Sequence, residues 1–293
     1  MNETLNEVKK ILTDAGIDEA SVKARIILRE VGNMSVEDML LQKEVKNKDE
    51  VLAFARKLAD TGAPIQHLLG YADFMGEKFI VTPDTLIPRD ETELLVNCAL
   101  DKINKISQKK QDTINVLDIG TGSGCIACMI AKNAPQAEVL ALDISSNALQ
   151  TALENAQKLD LIKKVVYRKS DLFSALRKGE TFDVVVSNPP YICKKDYDNL
   201  DKTVRDFEPK SALLAQDEGM EFYKKIIKQA AKYVNYGGYI AFECAKGQAR
   251  EVCMLLERNG FQVSDVIKDL AGVDRVVAAQ MVLMSDNTEC FSI

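Results

Sequence analysis

Apolar residues recur at helical spacing through the first sixty positions. Leu5, Val8, Ile11 and Leu12 share one face before Gly16, and Ala24, Ile27, Leu28 and Val31 repeat it before Gly32-Asn33. Val51, Phe54, Ala55 and Leu58 form a further stripe ending at Thr61-Gly62. Ser35 and Asp38 have the spacing of a capping box. The pattern predicts small amphipathic helices closing into one bundle, with a structural or partner-binding role rather than a catalytic one. From Ala63 the texture changes. Pro64, Gly70, Gly76, Pro83 and Pro88 punctuate strand-like pieces such as Phe79-Ile80-Val81, which predicts a β-hairpin or extended linker. Asp90 and Glu93 again have capping-box spacing, so a helix is expected from Glu91 to Lys105, with Asp90 as its cap.

Beyond Asp112 strands and helices alternate. Ile114–Ile119, Glu138–Asp143, Val165–Lys169, Phe182–Ser187 and Gly238–Glu243 read as strands. Helical runs follow several of them, at 125–133, 146–159, 219–234 and 248–259. Two last strands, Gln262–Lys268 and Arg275–Val282, have no helix between them. Repeated βα units demand a parallel sheet, whereas a terminal β-β pair demands an antiparallel neighbour. The expected fold is therefore α/β, a seven-stranded Rossmann-like sheet that resembles the class I methyltransferase form of the doubly wound fold. A small all-helical domain and a hairpin linker precede it. The boundaries expected are 1–68 for the helical domain, 69–88 for the linker and 89–293 for the α/β domain.

Composition narrows the function. At 293 residues, 46% hydrophobic and 28% charged, the chain is of ordinary globular type rather than fibrous or disordered. Its net charge of −6 argues against a protein that coats duplex nucleic acid, while leaving room for a local basic groove. Met1-Asn2-Glu3 lacks the basic flank of a signal peptide, and stretches such as Cys125–Ala131 are too short to span a membrane. Seven cysteines, scattered from Cys98 to Cys290, form no paired framework and suit a reducing cytoplasm. His67 is the only histidine, which excludes His-based triads and multi-histidine metal centres; no metal is expected. Cys125 and Cys128 have redox-type spacing but read better as small packing residues.

Asp118-Ile119-Gly120-Thr121-Gly122-Ser123-Gly124 follows a strand and opens a helix. Glycines there permit a sharp turn and close approach of a ligand. Asp143 closes the next strand nineteen residues after Gly124, where a carboxylate can accept both hydroxyls of a ribose. A dinucleotide fingerprint would have a third glycine where Cys125 stands. The spacing suits a nucleoside without phosphates, S-adenosylmethionine, better than a nicotinamide cofactor.

Asn188-Pro189-Pro190-Tyr191 follows the fourth strand, at the same sheet edge. Two prolines fix φ and remove two donors, leaving carbonyls that only accept. The Asn188 side-chain oxygen and the Pro189 carbonyl then offer two acceptors to one NH₂ group, with Tyr191 supplying an aromatic face to a planar substrate. Such acceptors hold a poorly nucleophilic exocyclic amine or carboxamide and aim its lone pair.

The ordered motifs resemble those of the protein-(glutamine-N5) methyltransferases of peptide-chain release factors, the HemK-type family. Pro64-Ile65-Gln66-His67 with Gly70, Phe74 and Gly76 matches that family's linker. Leu86-Ile87-Pro88-Arg89-Asp90-Glu91-Thr92-Glu93 matches its signature. Glu208-Pro209, Ala212-Leu213, Glu243 with Gly247-Gln248, and Gly272 with Arg275 continue the series. The resemblance implies a cofactor loop over Gly120, Thr121, Gly122, Ser123 and Gly124. It implies a ribose acid at Asp143, an adenine-side residue at Leu172, and a substrate-amide site over Asn188, Pro189, Pro190 and Tyr191, with Asn188 also near the cofactor. Asn188, Pro189 and Tyr191 are the expected catalytic set. The resemblance further implies a helical domain that grips the release factor and a Gly-Gly-Gln target; the acidic charge and the short apolar stretches leave neither nucleic acid nor membrane expected as a direct partner. His67, Asp90 and Leu172 depart from the usual Tyr, Pro and aromatic residue. The alternative is an adenine or guanine N-methyltransferase on nucleic acid, since an exocyclic amine fits the same acceptors. A non-catalytic adaptor is the reading of a different class.

Overall fold

The computed structural model describes residues 3–109 and 112–282; Cys290 and the stretch 285–293 lie outside them, as does the end of the expected third domain. The chain divides into two compact units, Met1–Tyr71 with Asp201–Phe207, and Ala72–Leu200 with Glu208–Ile293.

The N-terminal segment of the first unit forms α1 (Glu3–Asp14), α2 (Ala20–Glu30), α3 (Val36–Leu40), α4 (Lys48–Thr61) and α5 (Ile65–Leu69). Val8, Leu12, Ala24, Ile27, Leu28, Val51 and Leu58 close its core, the residues that the helical spacing marked. The capping box forms: Asp38 N–H donates to Ser35 Oγ at 3.0 Å and Ser35 N–H to Asp38 Oδ2 at 3.3 Å. One turn, α5, stands where a linker was expected. Pro64 opens it, its carbonyl accepting from His67 N–H, and Gly70 at φ 80° closes it. The same proline and glycine that punctuate a linker also bracket a helical turn.

The second unit begins with a hairpin, β1 (Tyr71–Phe74) and β2 (Glu77–Ile80), in which Phe74 and Phe79 meet edge to face at 5.9 Å. Helix α6 (Thr92–Ser107) follows. The expected Asp90 cap does not form. Glu91 occupies the N-cap without a side-chain bond, and the Glu93 carboxylate instead accepts from Met75 N–H at 2.8 Å, satisfying a donor at the hairpin turn.

The main sheet comprises β3 (Ile114–Ile119), β4 (Ala137–Asp143), β5 (Val165–Lys169), β6 (Phe182–Ser187), β7 (Val234–Glu243), β8 (Phe261–Lys268) and β9 (Asp274–Met281). Their order is β5-β4-β3-β6-β7-β9-β8. Strand β9 runs antiparallel between β7 and β8, and the other neighbours are parallel. Helices α7 (Cys125–Asn133) and α8 (Ser146–Lys158) connect the first strands. The short α9 (Lys194–Asp198), α10 (Lys202–Arg205) and α11 (Lys210–Leu213) come after β6, and α12 (Glu221–Ala230) and α13 (Ala249–Arg258) flank β7. Alternate strand residues feed two cores. Val116, Val184, Val186 and Ala241 meet α6 and α7 on one face; Leu117, Val185, Ile240 and Phe242 meet α12 and α13 on the other. The helix expected to reach Val234 stops at Ala230, because Val234 pairs with Phe182 and begins β7 four residues early. The strand order reverses between β3 and β6, which opens a crevice beyond their carboxyl ends.

Candidate active site

Beyond β3 the chain turns through Gly120, Gly122 and Gly124 at φ 75°, 56° and 78°. A Cβ on Gly124 would lie 2.9 Å from Ala152 Cβ of α8, so both the backbone and the helix packing require glycine there. Gly120 and Thr121 N–H donate to the Leu142 carbonyl at 2.8 and 2.9 Å, tying the loop to the end of β4. There Gly122 N–H donates to Asp143 Oδ2 at 2.9 Å and Ser145 N–H to Oδ1 at 2.8 Å. The carboxylate is thereby oriented, and each oxygen keeps room for another donor. Burial raises the Asp143 pKa against the pull of these backbone donors.

Asp118 lies fully buried at the root of the loop. Thr121 Oγ1 donates to its Oδ2 at 2.6 Å, while its Oδ1 has no hydrogen-bond partner. Burial pushes its carboxyl up to about 7. Leu172 sits in the left-handed region at φ 48°, its carbonyl held by Ser170 Oγ at 2.6 Å.

The other wall follows β6. Asn188 Nδ2 donates to Thr92 Oγ1 at 3.3 Å, Thr92 Oγ1 donates to Glu243 Oε2 at 2.7 Å, and the Tyr191 hydroxyl donates to Glu243 Oε1 at 3.3 Å. Glu243 closes β7 and is buried, which raises its pKa; burial and the neighbouring carboxylate likewise raise that of the Tyr191 phenol. Gln248 Nε2 donates to the Tyr191 carbonyl at 3.1 Å, and Tyr223 O–H to the Glu243 carbonyl at 2.8 Å. Nearby, the buried Glu208 pairs with the Arg89 guanidinium and accepts from Ile87 N–H at 3.0 Å, joining the signature segment to the chain before α11.

One cavity of about 310 Å³ brings most of these residues together: Gly120, Thr121, Gly122, Ser123, Asp143, Leu172, Asn188, Pro189 and Pro190 all line it. Gly124 and Tyr191 do not. Gly124 packs behind the loop against α8, and the Tyr191 hydroxyl turns to Glu243. Thr92 and Arg89 line the cavity without a role having been assigned to them, although both lie in the Leu86–Glu93 signature. Cys125 and Cys128 are buried thiols, pushed up to about 12 and about 11 by desolvation, as packing residues would be. Among the described residues no group of three or more His, Cys, Asp or Glu gathers as a metal site.

These residues suit S-adenosylmethionine. Asp143 offers free acceptor capacity for ribose hydroxyls, and Leu172 and Ile144 give apolar walls. A doubly wound seven-stranded sheet carrying this crevice defines an S-adenosylmethionine-dependent methyltransferase. Residues 92–212 match the family described as Methyltransferase small domain, and residues 3–70 the PrmC N-terminal domain. A release factor glutamine methyltransferase of Geobacter sulfurreducens is 34% identical over 96% of this chain and 96% of its own length. One of Rhodopirellula baltica is 42% identical over 75% of this chain and 74% of its own. Among solved structures, the hMettl16 catalytic domain in complex with MAT2A 3'UTR hairpin 1 superposes with TM-score 0.56 at 14% identity, covering 83% of this chain and 84% of that one. A methyltransferase from Pyrococcus furiosus does so with TM-score 0.50 at 18% identity, over 72% and 91%. These two likenesses bear on the fold alone. The chain belongs to the release factor glutamine methyltransferase family.

Proposed function

We propose that the protein transfers the methyl group of S-adenosylmethionine to the side-chain amide nitrogen, N5, of the glutamine in the Gly-Gly-Gln loop of peptide-chain release factors. The observation that carries this reading is the placing of Asn188. Its Nδ2 is engaged by Thr92, so Oδ1 is the end left to accept, beside a cavity shared with Gly120, Gly122 and Asp143. Oδ1 and the Pro189 carbonyl are two acceptors for the two N–H groups of a carboxamide. Holding both hydrogens favours pyramidalisation of a nitrogen whose lone pair is otherwise delocalised. Bound S-adenosylmethionine supplies a methyl already activated by its sulfonium. As the amide nitrogen forms the new N–C bond the C–S bond breaks, and one N–H proton passes to water. Placement and electrostatics supply the rate, without a metal or a strong base. Asp143 holds the ribose and Leu172 the adenine side.

The helical unit is assigned to gripping the release factor, with no direct nucleic-acid contact, and the reaction to the cytoplasm. No helix among the described residues is long and apolar enough to cross a membrane. The net charge of −6 disfavours nucleic acid as the substrate. Incubating a release factor with the protein and S-adenosylmethionine, then mapping methylation by mass spectrometry, tests the reading. One added methyl on the Gly-Gly-Gln glutamine is expected. Methyl transfer to total RNA or DNA offered in parallel, with none to the release factor, overturns it.

A further inference from the structure

We infer that Thr92 and Glu243 are positioning residues that fix which end of the Asn188 carboxamide faces the substrate. The inference rests on the reaction proposed above. The oxygen and NH₂ of an asparagine fill nearly the same space, so packing alone does not choose between two orientations 180° apart. The choice matters here. Turned one way Asn188 accepts from the substrate nitrogen; turned the other it sets its own N–H groups against those of the substrate.

A chain of donors settles the direction. Ionised Glu243 only accepts. Thr92 Oγ1, 2.7 Å from Glu243 Oε2, therefore commits its single proton to the carboxylate, and the Tyr191 hydroxyl commits its own to Oε1 at 3.3 Å. A hydroxyl with its proton so committed faces Asn188 with lone pairs only, and Nδ2 at 3.3 Å is the end that satisfies it. Reversing any single link leaves two donors or two acceptors face to face. The geometry is that of a group that only accepts: the Thr92 and Tyr191 hydroxyls each donate to a different carboxylate oxygen, while burial, the largest influence, raises the Glu243 pKa, with Glu91 adding to it and the two hydroxyls and Arg275 opposing it. The Tyr223 hydroxyl takes the backbone carbonyl of Glu243 and leaves both carboxylate oxygens to the relay, while Gln248 holds the Tyr191 backbone. The relay joins three segments that meet only in the folded sheet: the start of α6, the end of β6 and the end of β7.

The test compares Thr92→Val, which keeps shape but removes the hydroxyl, with Thr92→Ser, which keeps it. Turnover on release factor is measured beside calorimetric affinity for S-adenosylmethionine and thermal stability. Thr92→Val is expected to lower kcat about 30- to 100-fold with cofactor affinity within about twofold, and Thr92→Ser to restore turnover to within about threefold of the parent. Equal losses in both variants, tracking lost stability, would mean a purely structural role and overturn the relay. A second readout needs no substrate. The side-chain ¹⁵NH₂ signals of Asn188, assigned by their absence in Asn188→Ser, are expected to shift and exchange faster in Thr92→Val and to stay near parental in Thr92→Ser. Glu243→Gln, which replaces an acceptor with a donor, should disturb the same signals and serves if Thr92→Val does not fold. Unchanged Asn188 signals overturn the relay. Failure of the parent protein to methylate a release factor would instead remove the proposed reaction, with the NMR result still deciding the orientation of Asn188.

Discussion

The loop from Asp118 to Gly124 and the corner from Asn188 to Tyr191 leave neighbouring parallel strands, β3 and β6, yet are held differently. The loop is held chiefly through its own backbone: positive φ at its glycines, the N–H groups of Gly120, Thr121 and Gly122 donating to the Leu142 carbonyl and the Asp143 carboxylate, and the Ser123 carbonyl accepting from Asn155. The corner is held by side chains, through Thr92, Glu243 and Gln248 from other parts of the sequence. A backbone cradle presents a fixed shape to a ligand common to many enzymes. A side-chain relay sets a direction, and on the proposed reading that direction, acceptor outward, is the one a carboxamide to be methylated requires.

The sharpest way to break the contrast is Asn188→Ala, which should lower kcat about 100- to 1000-fold while changing calorimetric cofactor affinity only a few-fold. Near-normal turnover would remove the corner from the chemistry. Next in size is Asp118→Asn. The Asp118 carboxyl is moved from an ordinary 3.8 to about 7 by burial, so between those values the native state holds a proton that the unfolded chain has released. Stability therefore falls as pH rises through that window, and the full cost is present above it. Unliganded Asp118→Asn should exceed the parent in stability at pH 8 by on the order of 4 kcal/mol, a gap that closes toward pH 4. Denaturant melts at several pH values would show it, and a pH-independent difference would refute it. Asp143→Ala should weaken S-adenosylmethionine binding by roughly 1.5–3 kcal/mol, read by calorimetry, with unchanged affinity counting against the ribose role. The smallest effect is expected from Gly124→Ala, which strains a positive φ and crowds Ala152. A loss of about 1–2 kcal/mol in thermal stability is expected, and no loss would show that α8 gives way.

The same contrast explains what could be read from residues alone. Strands Ile114–Ile119, Val165–Lys169 and Phe182–Ser187 match their expected bounds; the first and third are central parallel strands covered on both faces, which appear as nearly continuous apolar runs. The glycine loop and Asp143 were legible for a similar reason, their partners lying within one βα unit. The Ala230 end of α12 was not, since Tyr233-Val234 continues an apolar pattern and only pairing of Val234 with Phe182 turns it into strand. Nor was the destination of Tyr191: its ring was expected against the substrate, while its hydroxyl goes to Glu243, far along the chain. Thr92 sits inside a recognisable signature, yet nothing local in that signature says that it meets Asn188.

One buried side chain joins the hairpin to the glycine loop. Asn155 on α8 accepts from Ile80 N–H at 2.7 Å and donates to the carbonyls of Ile80 and Ser123 at 3.0 and 2.9 Å. It behaves like a single rung of ladder for the edge of β2 while gripping the turn at Ser123. Loosening that turn is therefore expected to release the hairpin edge as well, which would make the Ile80 amide a gauge of ligand occupancy. Its hydrogen exchange is expected to slow when the nucleoside binds, even though Ile80 itself is no part of the cavity wall.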